Sequence, residues 1–217
     1  VEEKMNNKVN ISGLVLAMAL ISGTATALMA AVWLATTEPI AAARQQKTNA
    51  ALSQVLPEFD NQPAEDRVTC GGVTFYIARK GGQITGFAGE AVSTKGYGGG
   101  VTVLAGLTLD GTLTTVLVTR QNETPGLGTV VCDRNRQKTL SGLLSGHRET
   151  GLPPNRILDQ FRGMQAAVGD APWSVKKDGG TLDAITGATV SSRAVADAVF
   201  SIASSFAQNS SSLVTNH

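Results

Sequence analysis

The sequence predicts an α+β domain behind a single N-terminal transmembrane helix, and three observations predict it. No charged residue occurs between Lys8 and Glu38, and Ile11 to Ala35 is an almost unbroken apolar run. Further on, Val101–Leu109 and Thr112–Val118 are β-prone stretches that flank Asp110-Gly111, a dipeptide suited to the positive φ angles of a type I′ hairpin turn. Near the end, Val195, Val199, Ile202 and Phe206 recur at intervals of 4, 3 and 4, which makes one apolar stripe on a helix. An antiparallel sheet with helices packed on it, without βαβ alternation, is the α+β arrangement.

The elements follow in order. Residues 1–10 form a short N-terminus. Residues 11–35 form the transmembrane helix: the run reaches roughly 37 Å as a helix, enough to cross a hydrocarbon core of about 30 Å. A cleaved signal peptide is the competing reading, with Lys4 and Lys8 as its basic region and Ala25-Thr26-Ala27 as its cleavage site. Signal cores run only about 7–15 residues, whereas this one continues through Met29, Val32, Trp33 and Leu34, which favours a retained anchor. Ser22, Thr26 and Ala30, with Gly23, Ala27 and Ala31 beside them, put small residues on one helix face. Flanking charges are tied, Lys4 and Lys8 against Arg44 and Lys47, so charge alone sets no orientation.

Residues 36–66 read as a juxtamembrane helix stopped by Pro57, then a polar linker. Residues 67–208 are the folded domain. Val73–Ala78 and Ile84–Ala88 form a hairpin around Gly81-Gly82, and the Asp110-Gly111 hairpin follows. A helical stretch is expected over Asn155–Val168 and a short strand at Trp173–Lys176. An apolar stretch, Leu182–Ile185, precedes the last helix, from about Val190 to Phe206. Residues 209–217 read as a frayed, flexible tail.

Composition excludes several functions. Eighteen basic residues against seventeen acidic ones give a net charge of +1, and aromatics are 5%, so neither a basic face nor a base-stacking surface for nucleic acid is present. Two cysteines and two histidines supply no iron–sulfur, c-type haem or zinc ligand set. No residue reads as a catalytic nucleophile, a general base or a metal ligand. Redox chemistry in this chain therefore needs an organic cofactor.

Four loops carry the remaining signal. Asp183-Ala-Ile-Thr186-Gly187-Ala188-Thr189 reads as a strand-to-helix junction whose N–H groups and helix dipole suit a phosphate; a plain helix N-cap accounts for the same residue types. Asn122-Glu123-Thr124-Pro125-Gly126-Leu127-Gly128 is a rigid loop that lets a flat ligand approach, or simply a turn. Gly96-Tyr97-Gly98-Gly99-Gly100 and Trp173-Ser-Val-Lys176-Lys177-Asp178-Gly179-Gly180 complete the set.

In this order, G-Y-G-G, E-T-P-G-L-G, V-K-K-D-G-G and D-x-x-T-G-A-T resemble the FMN-binding domain of the G subunit of the Rnf electron-transport complex. They resemble the C subunit of the sodium-pumping NADH:quinone oxidoreductase less closely. The likeness covers nearly the whole chain, the N-terminal span included. It implies that Thr189 carries FMN through a phosphoester. Asp183, Thr186, Gly187 and Ala188 are then the recognition sequence of a flavin transferase that installs the cofactor from FAD. Glu123, Thr124, Gly126 and Leu127 are implied to contact the isoalloxazine edge or the phosphoryl linkage. Tyr97 joins the set through the G-Y-G-G loop, and Lys176 or Lys177 would stabilise an anionic reduced flavin. Where relatives often read H-E-T-P-G-L-G, this chain has Asn122 in place of the imidazole.

The resemblance also implies a flavin domain outside the cytoplasmic membrane with residues 1–10 on the cytoplasmic side, other membrane and peripheral subunits as partners beside membrane lipid, and electron relay coupled to sodium or proton translocation, with no independent turnover. An extracytoplasmic domain permits a disulfide between Cys70 and Cys132, a pairing the sequence leaves open. His147 is read as a surface residue. A C-subunit-like component of a sodium-pumping NADH:quinone oxidoreductase, a membrane-tethered FMN-binding sensor or regulatory module and a secreted binding protein are the alternatives.

Overall fold

The computed structural model describes residues 11–134, 152–167 and 173–215; the expected N-terminus, 1–10, and His147 lie outside the described residues. Two compact units divide the chain, Val1–Lys47 and Thr48–His217.

Helix α1 (Ile11–Val55) is the one candidate membrane span among the described residues. Hydroxyls in its apolar stretch bond to carbonyls one turn back. Thr24 Oγ1 donates to the Leu20 carbonyl at 2.9 Å, Thr26 Oγ1 to Ser22 at 2.7 Å and Thr37 Oγ1 to Trp33 at 2.6 Å. Ser22 donates likewise to Met18. Such pairing removes the cost of an unbonded hydroxyl in hydrocarbon. Pro39 lies inside the helix, which continues past it as expected and ends before Pro57.

The second unit is built on a five-stranded antiparallel meander in the order β1-β2-β3-β4-β5. The strands are β1 (Arg67–Cys70), β2 (Val73–Lys80), β3 (Gln83–Gly96), β4 (Gly99–Leu107) and β5 (Leu113–Arg120). Alternation along β2 explains why both faces are covered. Phe75 and Ile77 face one core with Phe87, Val103 and Ala105, whereas Tyr76 and Ala78 face a second with Ala88, Leu104 and Leu117. Leu52, Val55 and Leu56, at the end of α1 and just past it, cover the second face.

The first face is covered by the last helix, labelled α4 (Thr189–Thr215) after the short α2 (Gly128–Cys132) and α3 (Arg156–Asp159). Its expected stripe packs as read: Val195, Val199 and Ile202 are fully buried, and the Phe206 ring lies 5.4 Å from Phe87 and 6.1 Å from Phe75. The helix does not fray at Asn209. It runs on to Thr215, because Leu213 returns to the core at 1% exposure.

Three local expectations are corrected. The Asn155–Val168 helix is a single turn, α3, capped by Asn155, whose side chain accepts from the Ile157 and Leu158 N–H groups. It stops because Gly163 turns left-handed at φ 82° and Gln165 then bridges Thr112. Trp173–Lys176 is no strand, and neither is Leu182–Ile185; their backbones pair in an isolated parallel Val175–Leu182 bridge, and a 3-10 turn follows over Lys176–Asp178. The Asp110-Gly111 turn is not type I′, since Gly111 alone takes positive φ, at 85°. The Thr108 carbonyl accepts the Gly111 N–H, and the Asp110 carboxylate binds the hydroxyls of Thr108 and Thr112, which holds Asp110 at negative φ.

Candidate functional site

The four loops singled out in the sequence converge on the N-terminus of α4. Thr189 opens the helix and is half-buried, between exposed Thr186 and Gly187 on one side and exposed Val190 on the other, while Ala188 is buried. The Ala188 carbonyl accepts both the N–H and the hydroxyl of Ser192, at 3.0 Å each, which fixes the helix start. Ser192 Oγ also receives the Ile185 N–H at 3.3 Å, tying the approach segment to the first turn. The N–H groups of Thr189, Val190 and Ser191 have no intrahelical carbonyl to bond, so this end carries the positive pole of a 27-residue helix.

The loop 122–128 lies against this end. Leu127 is exposed and in contact with Gly187: a Cβ placed on Gly187 would stand 3.5 Å from Leu127 Cδ2. Gly187 has φ 86°, which a side-chain-bearing residue adopts only under strain. Around the Gly126 turn, the Gly126 N–H donates to Thr129 Oγ1 at 2.9 Å, and Pro125 and Gly126 are exposed. Thr124 is exposed, and its carbonyl accepts the Leu127 and Thr129 N–H groups. Glu123 is 6% exposed and faces inward, accepting the Ser191 hydroxyl at 2.6 Å and the Gly98 N–H at 3.2 Å. Two of the neighbouring glycines owe their identity to this packing rather than to ligand access. A Cβ on Gly98 would stand 1.7 Å from the Asn122 carbonyl oxygen, and one on Gly128 would stand 2.5 Å from Glu123 Oε2.

Tyr97, at the tip between β3 and β4, is 75% exposed. On the other flank, Lys176 Nζ lies 2.7 Å from Asp183, which Arg156 also reaches at 3.2 Å. Lys176, first by its hydrogen bond and then by its charge, holds the Asp183 carboxyl below its ordinary range, and Arg156 adds to this. Asp178 makes a bidentate pair with Arg193, one turn beyond Thr189, at 2.6 Å on both nitrogens, and its carboxyl is lowered in turn. Lys177 is exposed. Arg156, Arg193 and Gln160, which brackets the backbone of Asp183, are participants the sequence reading missed. Arg193 alone carried a signal, one helical turn after Thr189.

A flat, anionic, phosphate-bearing ligand fits this surface: open N–H groups at the helix pole, lysines on its flank, and exposed apolar side chains at Leu127 and Val190. The family model described as an FMN-binding domain matches residues 96–203, which contain all four loops. The chain is 35% identical over 194 residues to a Cereibacter sphaeroides protein named as the G subunit of an ion-translocating oxidoreductase complex, covering 85% of this chain and 78% of the relative. It is 33% identical to the Aliivibrio fischeri protein of that name, covering 85% and 84%. Against the Vibrio atlanticus protein of that name it is 31% identical, covering 97% and 96%. The chain belongs to the G-subunit family of ion-translocating oxidoreductase complexes.

Membership in the G-subunit family accords with α1 as an apolar helix of membrane-spanning length. Both cysteines are free thiols in the structure, Cys70 half-buried at the end of β1 and Cys132 buried at the end of α2. Burial, with the charges of Glu123 and Asp133, pushes the Cys132 thiol up to about 12.

Proposed function

We propose that this chain is the electron-transfer subunit of a membrane-bound, ion-translocating ferredoxin:NAD oxidoreductase (Rnf) complex and that FMN is bound covalently to Thr189 through a phosphoester, on the outer side of the membrane. The observation that carries this reading is the position of Thr189: the last residue of D-x-x-T-G-A-T is also the first residue of α4, beside open helical N–H groups and an exposed loop. FMN, when bound, supplies the electron-accepting chemistry that no side chain here offers.

The protein's part is to hold and orient. Helix N–H groups at 189–191 would bind phosphoryl oxygens, each such interaction contributing about 0.3–1 kcal/mol and more where partly buried. Leu127, with Gly187 beside it, offers an apolar surface for the ring system, and Gly126 and Tyr97 are exposed in the same pair of loops. Thr124, exposed on the same loop, closes the turn through its carbonyl and leaves its side chain available to the ligand. Lys177 is available as a positive charge toward a reduced, anionic ring. Lys176 serves mainly to hold Asp183, and through it the segment Asp183–Ala188 that a flavin transferase would read.

The test is Thr189→Ala in the full chain. The variant is expected to fold and insert into the membrane, yet show no flavin fluorescence after denaturing electrophoresis and no mass increment from FMN. Covalent flavin retained in Thr189→Ala, or unmodified Thr189 peptides from material made in the native host, overturns the assignment.

A further inference from the structure

The buried carboxylate of Glu123 is the one acidic group of the site turned away from solvent. It rests on loop 122–128, yet its two oxygens bond to two other elements: Oε2 accepts the hydroxyl of Ser191 in the first turn of α4, and Oε1 accepts the Gly98 N–H at the β3–β4 tip. Among the described residues no ion pair includes it. Space around it is closed: a Cβ on Gly96 would stand 2.6 Å from Oε1, and one on Gly128 would stand 2.5 Å from Oε2 and 2.7 Å from Ser191 Oγ. A buried carboxyl held only by neutral donors is a costly way to fill space. What it does gain is geometric, because one rigid group fixes three chain segments against one another.

We propose that Glu123 is a positioning residue that, through Ser191, fixes the first turn of α4 and hence the direction in which the Thr189 hydroxyl and the group attached to it face. This deepens the reading of Thr189 as the attachment point and rests on it. Ser191 lies two residues beyond Thr189 in the same turn, so a rotation of that turn moves both hydroxyls together. Because Glu123 lies beneath the surface, it acts without touching the ligand. Its charge is close enough to the attachment turn, in a poorly solvated setting, to be felt by a redox group there.

The test uses the full chain, co-produced with its flavin transferase, in parent, Glu123→Ala, Glu123→Gln and Ser191→Ala forms. Far-UV circular dichroism checks folding; readouts are the FMN mass increment, visible circular dichroism of bound flavin and its midpoint potential. Glu123→Ala and Ser191→Ala are expected to load flavin several-fold more slowly and to alter the visible dichroism. The double variant is expected to be no worse than the poorer single one, since both lesions remove the same bond. Glu123→Gln keeps the shape and restores loading, but its potential moves positive as a negative charge is lost. Should Glu123→Ala not fold, Ser191→Ala decides alone. Parent-like loading, dichroism and potential in the folded variants overturn the positioning role while the Thr189 reading stands. A parent chain without covalent flavin overturns both.

Discussion

Lys176 and Asp183 close the segment before α4 onto the 3-10 turn, Nζ to carboxylate oxygen at 2.7 Å, seven residues apart in the chain. The pair, with Arg156 beside it, lowers the Asp183 carboxyl from its ordinary 3.8. A lowered folded-state value means that the clamp contributes fully above the ordinary carboxylate range and is lost as pH falls through the lowered value. Amide hydrogen exchange over residues 174–189 should therefore be unaffected by loss of the clamp from neutral pH down to about pH 4, and should show loosening only below it, while β2–β4 stay protected. Loosening of this segment near pH 6 would contradict the assignment.

Gly187 is held at φ 86° with Leu127 alongside. Gly187→Ala should cost about 1–2 kcal/mol from the left-handed backbone alone, seen as a thermal shift of a few degrees, and flavin loading should fall with it. An unchanged melting temperature would show that the loop relaxes freely.

The last helix is an energetic as well as a topological partner of the sheet. Phe206→Ala should lower unfolding free energy by about 3–5 kcal/mol and Leu213→Ala by about 2–5 kcal/mol, both read from urea titrations. A Leu213→Ala variant as stable as the parent would return residues 209–215 to the status of a tail.

The two thiols should differ in reactivity. Cys132, buried and pushed up to about 12, stays protonated at neutral pH and should resist maleimide until the domain unfolds, whereas Cys70, half-buried, should label sooner. Equal labelling rates in the folded chain would disprove the burial of Cys132.

Much of this architecture was legible because periodicity reports burial directly. The stripe from Val195 to Phe206 read out a face that does pack, and the β-prone run Val73–Ala78 before Gly81-Gly82 marked a strand that does pair. Loop chemistry was legible only as residue type. Nothing in E-T-P-G-L-G shows that Glu123 points inward, since that depends on Ser191, far along the chain, supplying a hydroxyl. Glycines were read as clearing space for a ligand; Gly98 and Gly128 instead clear space for Asn122 and Glu123. The Asn155–Val168 helix failed for a local reason, the left-handed Gly163, and the frayed tail failed because a Ser-rich surface hid Leu213.

Because α4 begins at Thr189 and is locked to the sheet by Val195, Val199, Ile202 and Phe206, a prosthetic group carried there has no swinging arm. A carrier built on a long, flexible lysine could sweep its cargo between stations; the attachment proposed at Thr189 would instead be a short side chain on a helix packed against the sheet. Any shuttling between electron source and sink must then come from the domain riding as a whole, or from neighbours that approach it.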